Sequence, residues 1–296
     1  MNPGSFISRN ARYHKNAIAL MFRESKMTYA ELELRTNRLV NALRTLRIRK
    51  GDRIAVQSNN RPEIVEMEIA CYKGGYVKVP INARYNVDET IKILNQSGTK
   101  VVIGDRAHIE PLVEKKKKIK SVETFIDMDG ESEKTAGFAD LLSQESDVCS
   151  IQEVNQEDLA VLAYSSGTSG ELKAIMQTFG NRMAMIRKAF MIPETKINKG
   201  DIFAHVGPIT HASGMLLMPV LVAAGCNLIL EKFNVPELLE AIERKQINYT
   251  FLVSAMINMI LSHPDVSNYN MRSLKGIFYG AAPMSAHRIK EAISRF

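Results

Sequence analysis

Short apolar runs alternate with segments of helical period along most of the chain, and that alternation leaves few folds open. Thr28 followed three residues later by Glu31 forms a capping box, and Leu32, Leu39, Val40, Leu43 and Leu46 follow at helical spacing. Gly51 and Asp52 turn the chain into a short strand, Arg53 to Gln57, and Pro62 opens a helix through Cys71 that stops at Gly74 and Gly75. Further strands are predicted at 77–80, 101–103, 159–164, 202–206, 227–230, 249–253 and 274–279, with helices at 89–95, 212–223, 235–244, 255–262 and 286–296. Repeated strand-helix-strand units predict an α/β fold whose parallel or mixed sheets are flanked by helices. More than ten strands exceed what one open sheet usually carries, so two packed sheets are expected. The polar, poorly periodic stretch 130–155 reads as surface connection, and no internal repeat is present.

Composition narrows the class. A chain of 296 residues with 45% hydrophobic and 24% charged residues can bury a core without staples. No apolar run approaches the roughly 18 residues of a membrane helix, and Met1 to Arg12 has no signal-type run, so a cytoplasmic protein is expected. Cys71, Cys149 and Cys226 are scattered without a CxxC pair and read as reduced, mostly buried thiols. The net charge of +7 permits acidic partners, but the densest run, Lys115 to Lys118 with Lys120 beyond, has no interleaved aromatic residue. It reads as a solvated surface at the end of a short helix, and no nucleic-acid partner is expected.

The most informative stretch is Tyr164-Ser165-Ser166-Gly167-Thr168-Ser169-Gly170-Glu171-Leu172-Lys173. A buried strand runs into a loop of hydroxyls and glycines that ends in a lysine. Glycines let successive backbone amides approach an anion, hydroxyls add neutral donors, and Lys173 adds a full charge. The P-loop of nucleotide hydrolases is the rival reading. It requires a second glycine where Leu172 stands and a Ser or Thr where Ala174 stands, and the residues from Ala174 to Thr178 read as strand rather than helix.

This loop resembles the signature of AMP-forming acyl-CoA synthetases and their relatives, the adenylation domains of peptide synthetases and firefly luciferase. The chain departs from that signature at Leu172, where proline is usual, and at Ala174, where glycine is usual. Other segments resemble the same family in the same order: Lys50 to Val56, Val79 to Arg84, Pro208-Ile209-Thr210-His211-Ala212-Ser213-Gly214, and Gly280-Ala281-Ala282-Pro283. The resemblance implies an acyl-CoA synthetase-like large N-terminal domain, incomplete, spanning 1–296. Its subdomains are expected at 52–180 and 181–296, with 1–51 packing on the latter and a C-terminal lid domain lacking. It further implies that Ser165, Ser166, Gly167, Thr168, Ser169, Gly170 and Lys173 hold the phosphates of ATP. Gly280, Ala281, Ala282 and Pro283 would lie along the adenine, and His211, Gly214, Met215 and Tyr279 would line the acid pocket. Lys173, Thr168 and His211 carry the catalytic roles in this reading. Mg²⁺ arrives on the ATP phosphates, with Thr168 a possible contact, and coenzyme A is the co-substrate.

The function implied is an ATP-dependent carboxylate-CoA ligase working through an acyl-adenylate on a small carboxylic acid, with fatty acids the commonest class in the family. An adenylation domain that loads a carrier protein is one alternative; a non-catalytic nucleotide- or acyl-binding protein on the same scaffold is another. The family's later blocks, which hold Mg²⁺ and the ribose and supply a lid lysine, would all follow Phe296. Residues 1–296 alone are therefore expected to bind nucleotide weakly and to adenylate poorly. Met215, Leu216 and Met218 read either as helix core or as pocket lining. The histidines His14, His108, His205, His263 and His287 read as structural or surface residues.

Overall fold

The computed structural model describes residues 1–166, 172–192 and 196–296, without the side chain of Ser166. The chain begins with α1 (Ser5–Tyr13), β1 (Ile18–Phe22), β2 (Ser25–Thr28) and α2 (Tyr29–Thr45). Then follow β3 (Arg53–Gln57), α3 (Pro62–Gly74), β4 (Val77–Pro80), α4 (Val87–Ser97), β5 (Val101–Gly104), α5 (Arg106–Glu114), β6 (Thr124–Asp127), β7 (Ala136–Gly137) and α6 (Phe138–Ser143). The pair β8 (Leu159–Ser166) and β9 (Leu172–Thr178) leads into α7 (Phe179–Met191). The remainder is β10 (Ile202–His205), α8 (Leu217–Val222), β11 (Cys226–Ile229), α9 (Val235–Lys245), β12 (Tyr249–Val253), α10 (Ser254–Leu261), β13 (Gly276–Gly280) and α11 (Ala286–Arg295).

The strands form two sheets, in the orders β7-β6-β5-β3-β4-β8-β9 and β13-β12-β10-β11-β1-β2. Neighbours are parallel except β8 with β9 and β1 with β2. Parallel neighbours need crossovers, which the intervening helices supply, and strands covered on both faces read as continuous apolar runs. Val101, Val102 and Ile103 of β5 are fully buried in that way. The expected architecture is the one found. No helix among the described residues is long and apolar enough to cross a membrane.

Helix α3 is the keystone. It touches β4 of one sheet and β1 of the other, and every residue from Ile64 to Gly74 is buried. Pro62 stands at its first turn, where its missing N–H costs nothing, and Gly75 ends it in the left-handed region at φ 68°. Each fully buried aliphatic side chain contributes about 1.5–3 kcal/mol relative to exposure. Such a helix would normally be apolar throughout, yet Glu66, Glu68 and Lys73 lie inside it.

The stretch 130–155 differs from its reading as plain surface connection. It contains β7, which pairs with β6, and α6, whose Phe138 and Leu142 are 2% and 3% exposed. These two anchors carry too little periodicity for a sequence pattern to show. The helix predicted over 212–223 begins as a 3₁₀ turn, Ala212–Leu216, before α8. The lysine run after α5 is a 3₁₀ turn whose Lys117 and Lys118 are exposed. Lys116 instead turns inward, bonding the Val122 carbonyl and lying over the Phe125 ring.

Candidate active site

In parallel sheets the crevices outside the carboxyl ends of the strands are where ligands bind. Asn60 follows β3 and brings the carboxyl ends of the two sheets together. Its Nδ2 donates to the carbonyls of Gly207 (2.9 Å) and Leu230 (3.0 Å), which follow β10 and β11. Its Oδ1 accepts the Ile209 N–H at 2.9 Å. Asn60 is 6% exposed, so these bonds are made out of water, where leaving them unmade is costly.

Of the residues expected to hold phosphate, Ser165 and Ser166 end β8 and Lys173 lies at the start of β9. Ser165 lies opposite Lys173, and Ser166 opposite Leu172. Ala174 to Thr178 is strand, as read from the sequence. Gly167, Thr168, Ser169 and Gly170 lie outside the described residues. Lys173 is exposed, and its ammonium pairs with none of the described carboxylates. A cation beside a serine at the mouth of a sheet, with no partner among the described carboxylates, is suited to an anion. A groove of about 640 Å³ lies on the opposite face of the same strands, under Leu162, Tyr164, Ala174 and Met176. Residues alternate across a strand, so Lys173 and Ser165 point away from it.

The segment from Pro208 to Gly214 is a pair of tight turns. His211 N–H donates to the Pro208 carbonyl, and Gly214 N–H to the His211 carbonyl, both at 3.0 Å. A Cβ on Gly214 would lie 1.9 Å from the Ile209 carbonyl oxygen, so only glycine fits there. His211 is exposed on this frame. The turn is held from below by His205, which is fully buried. Its Nε2 lies 2.7 Å from Asn227 Oδ1 and its Nδ1 3.1 Å from Ser213 Oγ. Burial pushes the imidazole down to about 4, so it stays neutral, with Nε2 donating to Asn227. Of the two readings for the methionines, Met218 is core at 1% exposed, whereas Met215 is 49% exposed beside the turn.

Gly280 ends β13, and Tyr279 before it is 46% exposed. Ala281 adopts φ 72°, a left-handed conformation that a non-glycine residue reaches only under constraint. Ala282 supplies part of that constraint by accepting the Ser254 hydroxyl at 2.7 Å. Pro283 and both alanines are exposed. No hydrogen bond among the described residues joins Lys173, His211 and this turn. They share the carboxyl edges of the sheets rather than contacts with one another.

Sequence reasoning did not pick out Asn60, nor the charges of α3. The second had a visible signal, Glu66, Glu68 and Lys73 set among the apolar residues of the helix. His108 is structural, as read: its Nδ1 is 2.5 Å from Asp105 and its Nε2 2.9 Å from the Ala83 carbonyl. The three cysteines are free, and burial pushes the Cys226 thiol up to about 12.

Two mostly parallel sheets flanked by helices, with Ser165 and Lys173 at the end of an antiparallel strand pair, define an α/β class whose ligands bind at the carboxyl edges of the strands. Comparison narrows it: residues 7–296 match the model of the AMP-binding enzyme family, and the chain belongs to that family. It is 29% identical over 294 residues to a feruloyl-CoA synthase of Amycolatopsis sp, covering 99% of this chain and 57% of the relative. It is 25% identical over 290 residues to the medium/long-chain-fatty-acid–CoA ligase FadD8 of Mycobacterium tuberculosis, covering 96% and 50%. The chain thus spans about half the length of the curated relatives it matches. The fold is shared with the N-terminal domain of FACL13 from Mycobacterium tuberculosis, at a TM-score of 0.90 and 23% identity, over 99% of this chain and 73% of that one.

Proposed function

We propose that this chain grips the polyphosphate of ATP in an enzyme that activates a carboxylic acid as its acyl-adenylate and passes the acyl group to coenzyme A. The observation that carries the reading is Lys173, exposed, without a carboxylate partner among the described residues, and facing Ser165 across the end of an antiparallel strand pair. A carboxylate oxygen attacks the α-phosphorus, forming an O–P bond as the bond to pyrophosphate breaks. The thiolate then attacks the acyl carbon, forming a C–S bond as AMP departs. Bringing one anion to another demands fixed positive charge and donors, which Lys173 and the serines supply. Among the described residues no group of three carboxylate, histidine or cysteine side chains is placed to hold a metal. Mg²⁺ would enter with the nucleotide, held by its phosphates.

Exposed His211, on its rigid double turn, borders the acid, with Gly214, Met215 and Tyr279 as further lining. The relatives named for feruloyl-CoA and fatty-acid–CoA favour coenzyme A over a carrier protein as thiol acceptor. Lys173→Ala tests the reading by calorimetric ATP titration. Losing a charge-assisted contact is expected to cost about 1.5–3 kcal/mol of binding with the fold intact. ATP affinity equal to that of the unchanged chain refutes it. A panel of ferulate and fatty acids in a pyrophosphate-release assay on the full-length protein then identifies the acid.

A further inference from the structure

One buried charge of α3, Glu68, is tied to the strands that carry the candidate site. Glu68 is 2% exposed, and its carboxylate collects bonds from three directions. Lys78 of β4 donates to Oε2, and both Arg182 of α7 (3.0 Å) and the Tyr72 hydroxyl (3.1 Å) donate to Oε1. Arg182 continues the network, donating from Nε to the Tyr72 hydroxyl at 2.7 Å and from Nη1 to Gln177 of β9 at 3.3 Å. Lys78, Val161 and Gln177 are lateral neighbours in register across β4, β8 and β9, so they share one face of the sheet. Ser165 and Lys173 lie on that same face, four residues further along, about 13 Å.

Both strands that carry the phosphate loop are therefore tethered to a single carboxylate. β8 is reached through β4 and Lys78. β9 is reached through Gln177 and Arg182, the latter one turn into the helix that follows. On the reading that the loop binds polyphosphate, we infer that Glu68 is a positioning residue for ATP: it anchors the two strands at Val161 and Gln177 so that Ser165 and Lys173, at their other ends, converge on the phosphates. A buried carboxylate with two cations and a hydroxyl is an expensive way to stabilise a fold, because apolar residues of equal volume often do as well. It is an effective way to fix geometry.

Glu68→Gln keeps the volume and removes the charge. It is expected to raise the ATP dissociation constant about tenfold or more. Amide exchange should quicken across 159–166 and 172–178. Glu66→Gln is the control, an equally buried carboxylate of α3 whose salt bridge goes to Arg35 of α2, with no tie among the described residues to β8 or β9. It should leave ATP affinity within about twofold, as for sites without shared partners. A folded Glu68→Gln chain that binds ATP within about twofold of the unchanged chain overturns the inference, as does an equal loss in Glu66→Gln. Should Glu68→Gln fail to fold, Gln177→Leu cuts only the tie to β9. It is expected to weaken ATP about threefold, and unchanged affinity overturns the inference. If Lys173→Ala and the unchanged chain bind ATP alike, the phosphate reading itself fails and this inference falls with it. If Lys173→Ala weakens binding while Glu68→Gln does not, only this inference falls.

Discussion

His205 shows how one buried side chain couples stability to pH. Its folded value near 4 lies below the ordinary histidine value of 6.5 because burial penalises the imidazolium. The unfolded chain therefore takes up a proton first as pH drops. The stability this residue contributes is complete above pH 6.5 and is lost as pH falls from there through about 4. The loss can reach about 3 kcal/mol. Glu66 acts in the opposite sense, since burial raises its carboxyl to about 7 and its contribution fades as pH rises through that value. His205→Gln separates the two. Relative to this variant, the unchanged chain should lose stability between neutral pH and about pH 4, measured by denaturant unfolding at each pH. A constant difference would mean that His205 binds its proton equally well in the folded and unfolded chain. At Gly214 the constraint is steric: Gly214→Ala forces the Ile209 carbonyl away and should destabilise the chain by about 1–3 kcal/mol in the same measurement.

At the scale of elements, the junction of β9 and α7 links local capping to the site. Thr178 closes the strand and caps the helix, its hydroxyl accepting the Asn181 N–H at 3.2 Å while Asn181 Oδ1 accepts the Thr178 N–H at 3.0 Å. One turn on, Arg182 enters the Glu68 network. Thr178→Ala should cost about 1 kcal/mol, seen as a lower denaturant midpoint at unchanged slope. A midpoint unchanged would show that the tertiary ties of α7 make the cap redundant. The capping boxes at Thr28 and Asn86 follow the same local logic. The segment holding α6 does not, because two buried anchors in a short polar stretch give no period to read.

For the whole molecule the decisive contact is between the sheets. Asn60 serves three backbone groups that follow strands of the other sheet or lie in the turn leading to His211. Asn60→Ala strands two carbonyls and one N–H away from water, a cost of about 3 kcal/mol or more in denaturant unfolding. The same change should loosen the turn from Pro208 to Gly214, seen as faster amide exchange at Ile209 and Gly214. Stability lowered without that local effect would remove Asn60 from the support of the site.

Elements with their own short-range code were legible in the amino-acid order: the strand and helix alternation, the capping box at Thr28, the stop at Gly75, and the strand that runs into Ser165 and resumes at Ala174. Each depends on spacing, φ preference or composition within a few residues, and these act before any tertiary contact forms. Tertiary structure alone decided that β3 lies between β5 and β4, that Met218 is core while Met215 is exposed, and that three charges belong inside α3. Those outcomes rest on partners far along the chain, such as Arg182, 114 residues from Glu68, and Asn60, 149 residues from Ile209. Burial sets the energy of such contacts, and burial is a property of the assembled sheets rather than of any one segment.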